Sequence, residues 1–181
     1  MWQTIKKPSG WCVRACLMLL IGGTFALSTH GAEWREFAPA NGRFSVLLPS
    51  LPKTKDYTEE SYYGRVTSYD FIQSSEDSPI AYGVGYSDYP SPMTNVEEFL
   101  NDGMVRSADR SGGKAEARQS ISLQGHPGRE WTIRTTELNS KNRSYWVNER
   151  LYTLSVINMD GGLLPKEDVQ RFFDSFQLLE K

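Results

Sequence analysis

IAYGVGYS, residues 80–87, alternates with period two. Ile80, Tyr82, Val84 and Tyr86 fall on one side of an extended chain, and Ala81, Gly83, Gly85 and Ser87 fall on the other. A helix, with 3.6 residues per turn, would scatter both sets around its axis, so the stretch reads as a strand. The small set implies close approach by another element, most simply a helix laid on that side of a sheet. The tyrosine side, if left uncovered, is a candidate partner surface, with Tyr82 and Tyr86 as its residues. The two glycines lack the third glycine and the strand-to-helix setting of a phosphate-binding loop.

Downstream, DYPSPM (88–93) breaks the chain. Thr94 or Asn95 then caps a helix, each with a glutamate three residues on. Val96, Phe99, Leu100, Met104 and Ala108 form its apolar stripe; Gly103 weakens it and Gly112-Gly113 ends it. KAEARQSISL, REWTIRTTEL, RSYWV and LYTLSVINM read as four strands, with NSKN and NER as turns between the later ones. Pro165 suits the first position of a second helix, with Val169, Phe172, Phe173 and Phe176 on its apolar side. Upstream, FSVLLP (44–49) alternates as a strand, and SLPKTKD (50–56) connects it to a Tyr- and Thr-rich strand run over 57–73 with untidy alternation. SSEDSP (74–79) is a turn. Strands, one helix, strands, one helix define an α+β fold: a central antiparallel sheet with helices packed on its faces.

The N-terminus reads differently. Lys6, Lys7 and Arg14 precede an 11-residue apolar run, Leu17 to Leu27, and small residues follow up to Ala32. This is the pattern of a secretory signal peptide over 1–32, cleaved after Ala32, and the run is well short of the ~20 residues of a spanning helix. A single domain then occupies 33–181, in a periplasmic or secreted location, without stable membrane insertion after cleavage. Both cysteines, Cys12 and Cys16, fall in the leader, so the remaining chain offers neither a disulfide nor a thiolate metal site. Loss of the leader removes three of the 20 basic residues and none of the 22 acidic ones, taking the formal charge from −2 to −5. With no basic cluster, nucleic acid is an unsuitable partner.

QGHPGREW (124–131) holds the one histidine outside the leader. Glycine and proline around His126 suit a tight turn, and Arg129 and Glu130, if extended, point to opposite faces. His126, Arg129 and Glu130 form a candidate turn site. The alternative, a general base or metal ligand at His126, lacks a nucleophile motif and further His or Cys ligands. The acidic residues are dispersed and give no calcium loop. The sequence therefore carries no catalytic, cofactor or metal set.

FSVLLPSLPK, GHPGREW, NERLYTLSV and RFFDSFQL, in this order and spacing, resemble exported bacterial proteins of the PsbP-like superfamily, which includes DcrB-like envelope proteins. The resemblance spans most of 44–178. It implies an α/β/α sandwich and an assembly or docking role without catalytic residues. The expectation is an exported, non-catalytic binding module acting on an envelope protein or complex, its oligomeric state unread. A carrier of a small ligand or metal ion, in a pocket between sheet and helix, is the alternative.

Overall fold

The structure, a computed structural model, describes residues 33–179; the stretch over 1–32 that reads as a signal peptide, with both cysteines, lies outside them. After a short strand β1 (Arg35–Phe37) come β2 (Phe44–Leu48), β3 (Lys53–Ser61), β4 (Gly64–Ser75) and β5 (Ser78–Asp88). Helix α1 (Val96–Arg110) is followed by β6 (Ala115–Leu123), β7 (His126–Arg134), β8 (Asn139–Val147) and β9 (Arg150–Asn158). Helix α2 (Lys166–Asp174) and the two-residue β10 (Gln177–Leu178) close the order. Seven strands form one sheet in the order β3-β4-β5-β9-β8-β7-β6, antiparallel throughout. A small sheet, β1-β2-β10, is separate.

The register of the central strands sorts side chains into two faces. Tyr86 lies opposite Tyr69 on β4 and Tyr152 on β9, and Tyr152 lies opposite Tyr145 on β8. This face carries Phe71, Val84, Leu154 and Val156 and packs on the small sheet and α2 through Phe44, Val46, Phe172 and Phe176. Phe44 is its hub, with aromatic contacts to Phe37, Phe71, Tyr86, Tyr152 and Phe176. The hydroxyl of Ser175, which caps α2, accepts from Leu47 N at 2.9 Å and donates to Phe172 O, joining the helix end to β2. On the other face α1 sets Met104 and Ala108 on Trp131 and Ile133, and Phe99 and Leu100 on Trp146. The layers are thus α1, the seven-stranded sheet, and the small sheet with α2, as the sequence led one to expect.

Several local assignments move. The run over 57–73 is two strands of a hairpin rather than one: β3 starts at Lys53, inside the expected connector, and the chain reverses at Tyr62-Tyr63. There the Ser61 hydroxyl accepts from Tyr63 N and donates to Gly64 O, and Gly64 sits at φ +93°. A turn inside the run explains its broken alternation. NSKN is not a turn but the start of β8; the chain turns earlier, where Thr135 N donates to Leu138 O at 2.7 Å. Asn139, Ser140 and Asn142 are buried in the sheet, their polarity absorbed by Asn139 donating to Gly162 O and Asn142 to the Ser140 hydroxyl. The turn expected at GHPG lies one step back, at Gln124-Gly125 with φ of 50° and 85°, and His126 pairs with Leu123 as the first residue of β7.

Candidate functional site

The expected partner surface is not a surface. Tyr82 and Tyr86 point into the layer shared with the small sheet and α2, 5% and 3% exposed. Tyr82 meets Trp34 and Phe172 edge to face. Tyr86 stacks on Tyr69, with the Arg150 guanidinium 4.1 Å above its ring. Burial, reinforced by Asp168 against the opposing Arg171, pushes the Tyr82 phenol up to about 12. Tyr86 is raised by burial too, despite the nearby Arg150. These are core hydroxyls that stay protonated.

His126, Arg129 and Glu130 do not converge either. They belong to the body of β7, and successive residues leave opposite faces. Arg129 lies under α1, where it donates to Glu97, to Asn101 Oδ1 at 2.8 Å and to Gly128 O. Glu130 faces α2; it accepts from Gln119 and Arg143 and forms an ion pair with Lys141 at 3.0 Å. Burial works against its charge, but the hydrogen bonds and charges of Arg143 and Lys141 prevail and hold the carboxyl below its ordinary value. Arg143 also stacks on Phe173, so this cluster ties β7 and β8 to α2. His126 is half-buried on the rim of a groove beside Arg43, Arg150 and Leu179, and it takes no part in the hydrogen bonds of either cluster despite its closeness in sequence. Among the described residues no group of three or more His, Cys, Asp or Glu could hold a metal ion.

A different site appears on the face that α1 half covers. The helix packs over β6, β7 and β8. Beyond its edge, the small residues of β5 meet equally small or polar residues of its neighbours β4 and β9, and together with Ser144 of β8 they leave a cleft of about 400 Å³. Its floor holds Ser68, Asp70, Ser87, Ser144, Thr153 and Ser155. Gly103, Arg106 and Arg110 of α1 form one wall, and Tyr57 and Glu59 of β3 lie on the far side. Ser68 and Ser87, paired across β4 and β5, share a hydrogen bond of 2.8 Å. Gly85 makes the notch for Asp70: a Cβ there would stand 2.7 Å from Asp70 Oδ1 and 2.9 Å from Tyr69 O.

Asp70 takes part in no ion pair among the described residues. Burial raises its pKa, and Lys55, opposite it on β3, only partly offsets this. Trp131 lines the cleft at 5% exposure, and its indole Nε1 has no hydrogen-bond acceptor among the described residues. A buried donor without a partner costs about 1–3 kcal/mol. The arrangement offers hydroxyl donors and acceptors, the Asp70 and Glu59 carboxylates and the Arg106 and Arg110 guanidinium groups in one trough. The sequence reading foresaw the small face of β5 but not Asp70, Gly103 or Trp131. The available signal was the alternation in VTSYDF and LYTLSV, which puts Ser68, Asp70, Thr153 and Ser155 on the same side as Gly83 and Gly85.

No family model and no curated protein matches the chain. Among solved structures it is similar to cyanobacterial PsbP (CyanoP) from Synechocystis sp. PCC 6803, with a TM-score of 0.53 and 14% identity over 83% of this chain and 95% of that one. A Pseudomonas aeruginosa protein of unknown function, PA94, aligns at TM-score 0.35 and 7% identity over 70% of this chain and 83% of that one. The fold is PsbP-like. No helix among the described residues is long and apolar enough to cross a membrane.

Proposed function

We propose that the protein is an exported, non-catalytic binding module of the periplasm or the secreted fraction, related to DcrB-like envelope proteins, and that its ligand is a small polar molecule held in the cleft beside α1. The observation that carries this reading is Gly103. It stands in the middle of α1, where glycine costs about 1 kcal/mol relative to alanine. A Cβ at this position would meet nothing within 4 Å, so no packing constraint demands the glycine. What it does is keep the cleft wall bare. Asp70, which forms no ion pair among the described residues, suits hydrogen-bond donors on the ligand. Arg106 and Arg110 suit an acceptor or anionic group at its other end.

The signal-like leader supports export, and the polar lining supports a hydrophilic ligand. Burial of Tyr82 and Tyr86 takes away the surface on which docking to an envelope complex would have rested, and the lack of a metal cluster among the described residues disfavours an ion carrier. Native mass spectrometry of protein purified from its own envelope fraction tests the reading. A small molecule should accompany the native chain and be absent from Gly103→Phe, whose ring fills the trough. A bare native chain that also shows no thermal shift with sugars, amino acids, short peptides or nucleotides would overturn it.

A further inference from the structure

The two edges of the large sheet are built differently. β6 is broken by an irregularity between Glu116 and Gln119, with Ala117 at φ +44° and the Arg118 side chain folded back onto Ala115 O. Such a bulge spoils an edge for further pairing. β3 has no such defect: its register with β4 is continuous over all nine residues, Lys53 to Ser61. Eight of the nine are exposed, and among the described residues no strand pairs with its outer side.

We infer that β3 pairs with β3 of a second copy, antiparallel about a two-fold axis at Tyr57, joining two large sheets into one. The argument is one of register. A two-fold axis perpendicular to the sheet keeps each side chain on its own face, so only residues of like parity oppose each other across the new edge. Centred on Tyr57, Lys55 of each copy opposes Glu59 of the other, Asp56 opposes Thr58, Thr54 opposes Glu60 and Lys53 opposes Ser61. Both ion pairs are complementary and no like charges meet. Centring on Asp56 instead sets Asp56 against itself; centring on Thr58 sets Asp56 against Glu60. Centring on Lys55 or Glu59 sets each against its own copy. Like charges directly opposite destabilise a strand pair and unlike charges stabilise it, so the sequence of β3 accepts the Tyr57 register and rejects its symmetric neighbours.

Sedimentation equilibrium of the native protein and three charge variants tests this. The native protein should be dimeric at about 100 µM. Lys55→Glu and Glu59→Lys, both at exposed positions, should each weaken dimerisation by about tenfold or more, because each places two like-charged pairs in the seam. Lys55→Glu combined with Glu59→Lys restores complementary charges with the order reversed and should bring the dissociation constant back to within about threefold of native. Unchanged circular dichroism would show that the variants fold. A native protein that stays monomeric, single variants that dimerise as the native chain does, or a double variant that fails to recover would each overturn the inference.

Discussion

Gly128 shows how a residue can matter for a reason other than the local one. As part of GHPG it looks like a turn glycine needing a positive φ. In the structure it lies inside β7, and its conformation is not the constraint. A Cβ there would stand 2.4 Å from Ser144 O and 2.6 Å from the Tyr145 ring, so the neighbouring strand and its tyrosine fill the space. Gly128→Ala should cost about 1–3 kcal/mol, as overpacking does, while His126→Ala should stay within about 0.5 kcal/mol. Urea denaturation of the two variants measures both.

Two carboxyls give opposite acid responses. Glu130 is held below its ordinary value in the folded chain, so the stability it adds is present above the unfolded value and is lost as pH falls through the folded one. Asp70 is raised, so its cost is absent below the ordinary aspartate value and grows as pH climbs through the raised one. Melting temperature against pH should therefore lose part of its acid-side fall in Glu130→Gln. Asp70→Asn should melt higher than native at neutral pH and match it in acid.

At the scale of the element, α1 carries its own start signal. Asn95 Oδ1 accepts from Glu98 N at 3.2 Å, the cap that its sequence spacing implied, and Asn95 Nδ2 donates to Glu98 Oε2 at 2.8 Å, a side-chain pairing in place of the capping box's bond to the cap backbone N–H. Asn95→Ala should cost about 1 kcal/mol. Gly103→Ala, eight residues on, should stabilise by up to about 1 kcal/mol, since the added methyl meets nothing and the helix gains a better former. Thermal melts that show one loss and one gain would match the two positions. The same helix explains why half of the sheet face is bare: its apolar stripe fits Trp131, Ile133 and Trp146, on β7 and β8, and does not extend over the hydroxyls of β4, β5 and β9.

For the whole molecule, the layer beneath the sheet is organised around Phe44, which is fully buried among five aromatic neighbours drawn from β1, β4, β5, β9 and the segment after α2. Phe44→Ala should lower unfolding free energy by about 3–5 kcal/mol. Tryptophan fluorescence should lose its signal together with far-ultraviolet circular dichroism, because the small sheet and the large one share this core. A variant in which the two probes separate would show that the layers unfold independently. Strand identity was legible from IAYGVGYS, LYTLSVINM and FSVLLP because period-two alternation is written between neighbours in the chain. The apolar stripe of α1, its start at Thr94 or Asn95 and the stripe of α2 up to Phe173 were legible for the same reason; the ends of α2 were not, since Pro165 precedes the helix rather than opening it and Phe176 lies beyond it. The Tyr62-Tyr63 reversal and the polar start of β8 were not, since their turn-like or strand-like character depends on what the opposing strand supplies. The sequence alone determined two kinds of face on β5, a small one and a tyrosine one, and an α+β order able to cover both. Only the tertiary structure decided that the tyrosine face is sealed by β2 and α2 while the small face is left partly open. That choice rests on where a helix 15 residues long can set its apolar stripe, a matter of contacts distant in the chain.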